Sequence, residues 1–423
     1  MNELGRQREQ GEIALALAFS AMAGAGAWLH APLLALFGVL GALSSSILYL
    51  WQRCCLMRLD CQRTVSAERV EFGETITVEI TMTNDKILPL PWVRVVDQFP
   101  SDLLPLDHPS RAKALPLESD EPLASHLVRS IHSFALLPFS KLTRSLELTC
   151  ERRGRHHFGT TQITSGDPLG IRPRTMKIDQ PHELLVYPKI MRFSLPALFS
   201  RTPLGDDRAR RLLLGDPTRV AGMRPYRAGD PLRHIDWRAT ARRNDLLVRD
   251  FEPTTTLALE ILIDCQIPNT GGTRSAATPS EFAISIGASI AAWSTGLSIP
   301  TGVAMPGRAD QVPIDTQLFV GPNATTLVLG TLAICVPDDS STFEQSIEQA
   351  SPRLGRGTSA VIISHHFSSQ VLGAMVACRR RAPIIAIYIS GLGGDPPPRR
   401  LVDESYVASY SPDWLDQDHV VFA

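Results

Sequence analysis

Between Ile13 and Trp51 the chain carries no Asp, Glu, Lys or Arg. Pro32, close to His30, divides this span into two apolar runs, Ile13 to Leu29 and Leu33 to Trp51. A helix crossing a bilayer needs roughly 20 mainly apolar residues, with about 17 as a lower limit. The second run meets this comfortably and the first only just. Trp28 and Trp51 stand at run ends, where an amphipathic ring prefers the membrane interface. The expectation is a transmembrane helical hairpin within residues 1–60. A cleaved signal peptide would also account for the first run. Against it, Glu3, Glu9 and Glu12 crowd its start and a second apolar run follows at once. A buried soluble hairpin is the other alternative.

The flanking charges set the orientation. Arg6 and Arg8 precede the apolar span, Arg53, Arg58 and Arg63 follow it, and the turn around His30 has no Lys or Arg. The positive-inside rule then places both ends in the cytosol. The expected location is the inner (cytoplasmic) membrane, with two passes, residues 13–51 in the lipid bilayer and everything after about Gln52 cytosolic.

A chain of 423 residues accommodates two or three domains. Its 42 Lys and Arg balance 43 Asp and Glu, so no global field draws it to nucleic acid. Seven cysteines, an odd number with no C-x-x-C pair, fit reduced thiols in the cytosol. Cys54 and Cys55 stand at the membrane edge, where acylation is an alternative to plain free thiols.

Residues 61–195 read as a β-sandwich of immunoglobulin-like type. Thr75 to Met82 alternates at period two, and Trp92 to Val96, His126 to Phe134 and Leu142 to Leu148 are further strands. Pro100 to Pro122, polar and Pro-rich, reads as a long surface loop. Residues 196–255 form an Arg-rich segment. From 256 to 423 the rhythm changes to alternating strands and helices. Leu257 to Ile263, Ala360 to Ile363 and Ile384 to Ile389 are continuous apolar runs of the kind buried on both faces of a parallel sheet. Pro279 to Leu297, Thr325 to Val336, Phe343 to Ala350 and Val371 to Arg380 are the expected helices, and Ile299 to Met305 another strand. The tail after Pro398 reads as weakly structured at best. The fold class is α/β plus β, ending in a doubly wound parallel sheet.

Between Arg219 and Arg249 stand eight Arg and three Asp. Asp230 suits a helix N-cap and Pro231 the first helical position. A helix from there puts Leu232, Ile235 and Ala239 on one face and brings Arg233 within reach of Asp236. Three readings stay open: a charged brace, a docking surface for an acidic protein segment, or a phosphate site. His234 and Asp236, two residues apart, diverge on a helix and have no nucleophile nearby. No phosphate loop, H-E-x-x-H or G-x-S-x-G sequence occurs. The basic cluster Arg152, Arg153, Arg155, His156 and His157 reads as a charged turn, with an anionic lipid contact as the alternative.

Arg152-Arg153-Gly154-Arg155, Asp167-Pro168-Leu169-Gly170 and the run from Tyr226 through Gly229, Asp230, Arg233, Asp236, Trp237 and Ala241 to Arg242 resemble domain-of-unknown-function family 58. The resemblance extends over about residues 10–390. It implies a membrane hairpin, a β-sandwich and a von Willebrand factor A-like domain, with a MoxR-type AAA+ ATPase as partner. Such domains bind Mg²⁺ through D-x-S-x-S after the first strand. Here only Asp264 matches, Gln266 and Pro268 replace the two Ser, and Ser364, His365 and His366 stand where a second carboxylate is expected. One Asp and one amide make a poor Mg²⁺ site, so no metal or other cofactor is expected.

The resulting expectation is a membrane-tethered adaptor acting with that ATPase on envelope or membrane clients. Arg227, Asp230, Arg233, Asp236, Trp237 and Arg242 form the docking or structural surface, and no residue is assigned to catalysis. Neither nucleic acid nor a small-molecule substrate is expected. A hydrolase using Asp236, His234 or Asp264, and an inert structural membrane component, are the rivals.

Overall fold

The computed structural model describes residues 17–103, 127–170, 173–194, 215–226, 235–243, 245–253, 258–267, 278–309, 312–313, 319–337, 341–355 and 357–422. The loop expected at Pro100 to Pro122 lies outside them after Leu103. The chain forms two compact units, Met1–Val186 and Tyr187–Ala423.

The first unit opens with helices α1 (Leu17–Trp28) and α2 (Pro32–Cys54). Pro32 occupies the first turn of α2, where its missing N–H breaks no helical bond. At 23 residues α2 is long and apolar enough to cross a membrane, whereas α1 is shorter. Leu36, Phe37, Leu40, Leu43 and Ile47 of α2 are exposed. A Cβ at Gly38 would collide with Ala23, so the two helix backbones pass in close contact there.

Ten strands follow: β1 (Leu59–Val65), β2 (Arg69–Val70), β3 (Thr75–Asn84), β4 (Leu90–Pro100), β5 (Leu127–Leu136), β6 (Ser140–Thr149), β7 (Gly154–His157), β8 (Thr161–Gly166), β9 (Pro173–Ile178) and β10 (Glu183–Val186). One antiparallel sheet runs β1-β3-β6 and another β5-β4-β8-β9, with a small β2-β10-β7 sheet beside them. Strand alternation sends Ile76, Val78, Ile80 and Met82 of β3 inward. They share one core with Val93, Val95 and Phe99 of β4 and with Ile163 of β8. That core encloses an ion pair: Arg63 Nη1 lies 2.8 Å from Asp97 Oδ1, both side chains fully buried. Thr161 Oγ1 donates to the same oxygen at 2.7 Å and the Gln98 amide at 3.1 Å.

The second unit contains β11 (Arg192–Ser194), β12 (Gly215–Pro225), α3 (Trp237–Arg243), β13 (Leu247–Pro253), β14 (Ala258–Ile263), α4 (Pro279–Gly296), β15 (Thr301–Ala304), β16 (Arg308–Ala309), β17 (Val312–Pro313), α5 (Ala324–Ile334), α6 (Phe343–Ala350), β18 (Thr358–Ser364), α7 (Ser369–Arg379), β19 (Ile384–Ser390), β20 (Glu404–Ser409) and β21 (His419–Val421). Its centre is a five-stranded sheet of order β15-β14-β18-β19-β20, parallel throughout. Alternate side chains feed opposite cores. Leu259, Ile261, Ile263, Val361, Ile363, Ile385 and Ile387 pack with α4 and α5. Leu262, Ala360, Ile362, Ile384 and Ala386 pack with α6 and α7. Burial on both faces is why these strands read as unbroken apolar runs.

The tail departs from expectation. β20 extends the parallel sheet, β21 pairs in parallel with β11, and Trp414 is 1% exposed against Phe282. Trp414 and β21 find their partners, Phe282 and β11, far back in the chain, so the local pattern carries little trace of them.

Candidate functional site at the carboxyl edge of the parallel sheet

In an open parallel sheet the winding direction reverses where helices change face, leaving a crevice beyond the carboxyl ends of the two strands concerned. Here α4 leaves β14 on one face and α7 leaves β18 on the other, so the reversal falls between these neighbours. Asp264 directly follows β14 and Ser364 ends β18. The Asp264 amide donates to Ile363 O at 2.8 Å, locking the two ends in register.

The Asp264 carboxylate is engaged on both oxygens. Oδ1 accepts from the Gln266 amide at 3.1 Å, and Oδ2 accepts from the Ser364 hydroxyl at 2.7 Å. His365 Nδ1 lies 3.5 Å from Oδ2, with its side chain 14% exposed. The Gln266 side-chain amide turns away to donate to Ser341 O at 2.7 Å. A second loop closes over the first: Tyr388 OH donates to Gly394 O at 2.6 Å, the Asp395 amide donates to His366 Nδ1 at 3.2 Å, and Phe367 N donates to Asp395 O at 3.1 Å. Gly394 presses so closely on His365 O that a Cβ there would collide with it.

This donor set suits Mg²⁺ poorly. The ion takes six hard oxygen ligands, whereas one carboxylate, one hydroxyl and an imidazole meet here. Pro268, the second replaced Ser position, lies outside the described residues. Nor is the set a nucleophile–base arrangement: the Ser364 hydroxyl bonds a carboxylate rather than an imidazole. What the geometry supplies is a buried carboxylate with an imidazole against it, at the place where such sheets receive ligands. Asp264 was legible from the sequence. The Ser364 and His365 contacts were not, because they join residues 100 apart through strand register.

Of the Arg-rich signature, Arg227, Asp230, Arg233 and His234 lie outside the described residues. The helix start expected at Asp230-Pro231 lies among them, and the helix described in this segment is α3, from Trp237. Ile235 forms a β-bridge with Val248 and is not helical. Asp236 is the cap: its Oδ1 accepts from the amides of Arg238 and Ala239, both at 3.0 Å. Ile235 therefore does not share a helical face with Ala239, whereas Leu232 and the Arg233 side of the expected Arg233–Asp236 pair lie outside the described residues. Asp236 is 8% exposed, while Trp237 beside it is 65% exposed and Arg242 is exposed too. Thr240 Oγ1 accepts the Leu247 amide at 3.1 Å and ties α3 to β13.

Residues 222–393 match the model of the family described as "Protein of unknown function DUF58". The match opens within β12 and covers α3, the parallel sheet through β19 and the carboxyl-edge loops. The uncharacterized protein YeaD of Bacillus subtilis (strain 168) is 26% identical over 211 residues, 49% of this chain and 48% of that one. The chain thus spans about half the length of that curated relative. Among solved structures, a β-glucosidase from Listeria innocua (14% identity, 30% of this chain and 16% of that one, TM-score 0.17) is similar over a part. So is the C-terminal domain of wzt (8%, 31% and 75%, TM-score 0.20). Superpositions that loose carry no argument about fold or function. Over residues 222–393, which hold both the Trp237 helix and the Asp264 edge, the chain is similar to the family of unknown function DUF58.

Proposed function

We propose that the protein is a membrane-tethered interaction protein whose second unit docks a protein partner. α1 and α2 serve as the membrane hairpin and the antiparallel β domain as a spacer. The α/β domain is of von Willebrand A-like type, and its partner is a MoxR-type AAA+ ATPase acting on membrane or envelope clients. The observation that carries this reading is Trp237. A Trp left 65% exposed on a helix anchored by a buried cap residue, with exposed Arg238 and Arg242 on the same helix, is the residue mixture that dominates interface energetics. Met223 and Leu246, on the hairpin that carries α3, add exposed apolar surface at 53% and 47%.

The test is direct binding of a purified MoxR-type AAA+ ATPase to the full chain in detergent. Trp237→Ala and Arg242→Ala should each weaken binding by about 10-fold or more without moving the melting temperature. Equal binding by wild type and both variants, or no binding by wild type, refutes the docking assignment.

A further inference from the structure

We infer that one end of the β domain lies in the bilayer interface, with its loop tips inserted among lipid headgroups beside the end of α2. The inference rests on the membrane reading of α2 given above.

Strand register places these loops together. Asn84 at the end of β3 pairs with Leu59 at the start of β1 and Ser140 at the start of β6. Leu90 of β4 pairs with Leu136 of β5, and Val93 pairs with Ser165 of β8. The turns at 85–89, 137–139 and 167–170 therefore share one end of the domain, and hydrogen bonds tie them to it. The Phe139 amide donates to Lys86 O at 3.3 Å, Asn84 Nδ2 donates to Leu137 O at 2.8 Å, and Trp92 Nε1 donates to Asp167 O at 2.8 Å.

The membrane helix ends at this same end. α2 stops at Cys54, the Asp85 amide donates to Arg58 O at 3.1 Å, and Arg174 donates to Arg53 O at 3.3 Å. Tyr49 and Trp51, in the last turns of α2, are residue types that settle at the interface.

Each tip presents a large apolar side chain to the outside. Ile87 is 80% exposed, Leu137 71%, Phe139 70% and Leu169 69%, with Met57 of the linker at 59%. Exposed Arg53, Arg58, Lys141 and Arg174 surround them, against exposed Asp60 and Asp85. Apolar tips ringed mainly by cations suit an interface carrying anionic headgroups. The basic cluster from Arg152 to His157 sits at the opposite end, where Thr75 pairs with Thr149, roughly 30 Å away along β3. There Arg152 pairs with Asp102 at 2.9 Å and His157 lies 3.4 Å from Glu183. The lipid contact thus moves from the basic cluster to the loop tips.

The test uses the full chain in vesicles of phosphatidylcholine and phosphatidylglycerol. Single nitroxide labels are placed through Ile87→Cys, Phe139→Cys, Leu40→Cys in α2 and Glu151→Cys at the far end, each in a Cys54→Ser background because the other six native cysteines are buried. Collision with lipid-soluble oxygen and with a water-soluble nickel chelate gives the depth of each. The expected result is lipid-like collision at 40, interface-like collision at 87 and 139, and water-like collision at 151. Water-like tips with a lipid-like position 40 overturn this inference and leave the membrane reading standing. A water-like position 40 overturns both.

Discussion

Asp97→Ala is the substitution whose cost the structure specifies best. Asp97 Oδ1 receives Arg63, Thr161 and the Gln98 amide, and the Arg63 guanidinium also donates to Gly159 O at 3.0 Å and lies 5.3 Å from the Phe158 ring centre. Removing the carboxylate leaves a fully buried cation without its counter-charge, a change that costs about 3–5 kcal/mol. That is a large share of the roughly 5–15 kcal/mol stability of a folded domain. Burial is the larger influence on this carboxyl and pushes its pKa up, with Arg63, Thr161 and the Gln98 amide opposing. Ionising Asp97 therefore costs more in the folded domain than in the unfolded chain. Its stabilising contribution is full below the ordinary carboxylate pKa and is lost as pH rises through the raised one. The pair thus does not recover its own desolvation, and Arg63→Met with Asp97→Leu should restore most of what Asp97→Ala loses. Amide hydrogen exchange in β1 and β4 reads this unit alone: Asp97→Ala should speed the slowest amides by on the order of 100- to several-thousand-fold. A change under about 5-fold, or a double variant no better than the single one, would refute the reasoning.

Other expectations are more local. Burial is the main influence on His156 and holds its pKa below the ordinary value, although its bond to Arg152 O and nearby Asp102 oppose. The unfolded chain then binds a proton more readily than the native one, so the β domain should lose stability as pH falls below about 6.5, and His156→Asn should flatten that slope in urea titrations at several pH values. Ser364→Ala removes the hydroxyl from Asp264 Oδ2 and should cost about 1–3 kcal/mol, seen as faster amide exchange in β14 and β18. Gly302→Ala places a Cβ against the buried Glu260 carboxylate and should destabilise the parallel sheet by about 1–3 kcal/mol on chemical denaturation. Asp236→Ala removes a helix cap and should cost about 0.5–2 kcal/mol, loosening α3 in exchange measurements while β14 stays protected.

Much of the architecture was legible because it rests on local periodicity. Thr75 to Met82 alternates because one face of β3 meets the core, and the runs ending at Ile263, Ile363 and Ile389 are unbroken because both faces do. Pro279 to Leu297 ended one residue from the observed helix, whose Thr278 cap accepts from the Glu281 amide. The uncharged span before Gln52 announced α2 by length and composition alone. Helical spacing placed Ile235 on a helix, whereas it is held in a β-bridge. The partner of that bridge, Val248, lies on β13, and Asp236 caps the helix that follows.

By itself the sequence determined the main strands and helices between Ala258 and Ser390, the apolar helix, the family motif and Asp264 as a strand-end residue. These depend on spacings of two, three or four residues along the chain. The tertiary structure alone decided that Ser364 and His365 meet Asp264, that Arg63 is neutralised by Asp97, and that Trp414 closes over Phe282. It also gathered Ile87, Phe139 and Leu169 at the end of the domain where α2 stops. Those contacts follow from strand register and sheet order, which are set by the burial of whole faces rather than by any local pattern of residues.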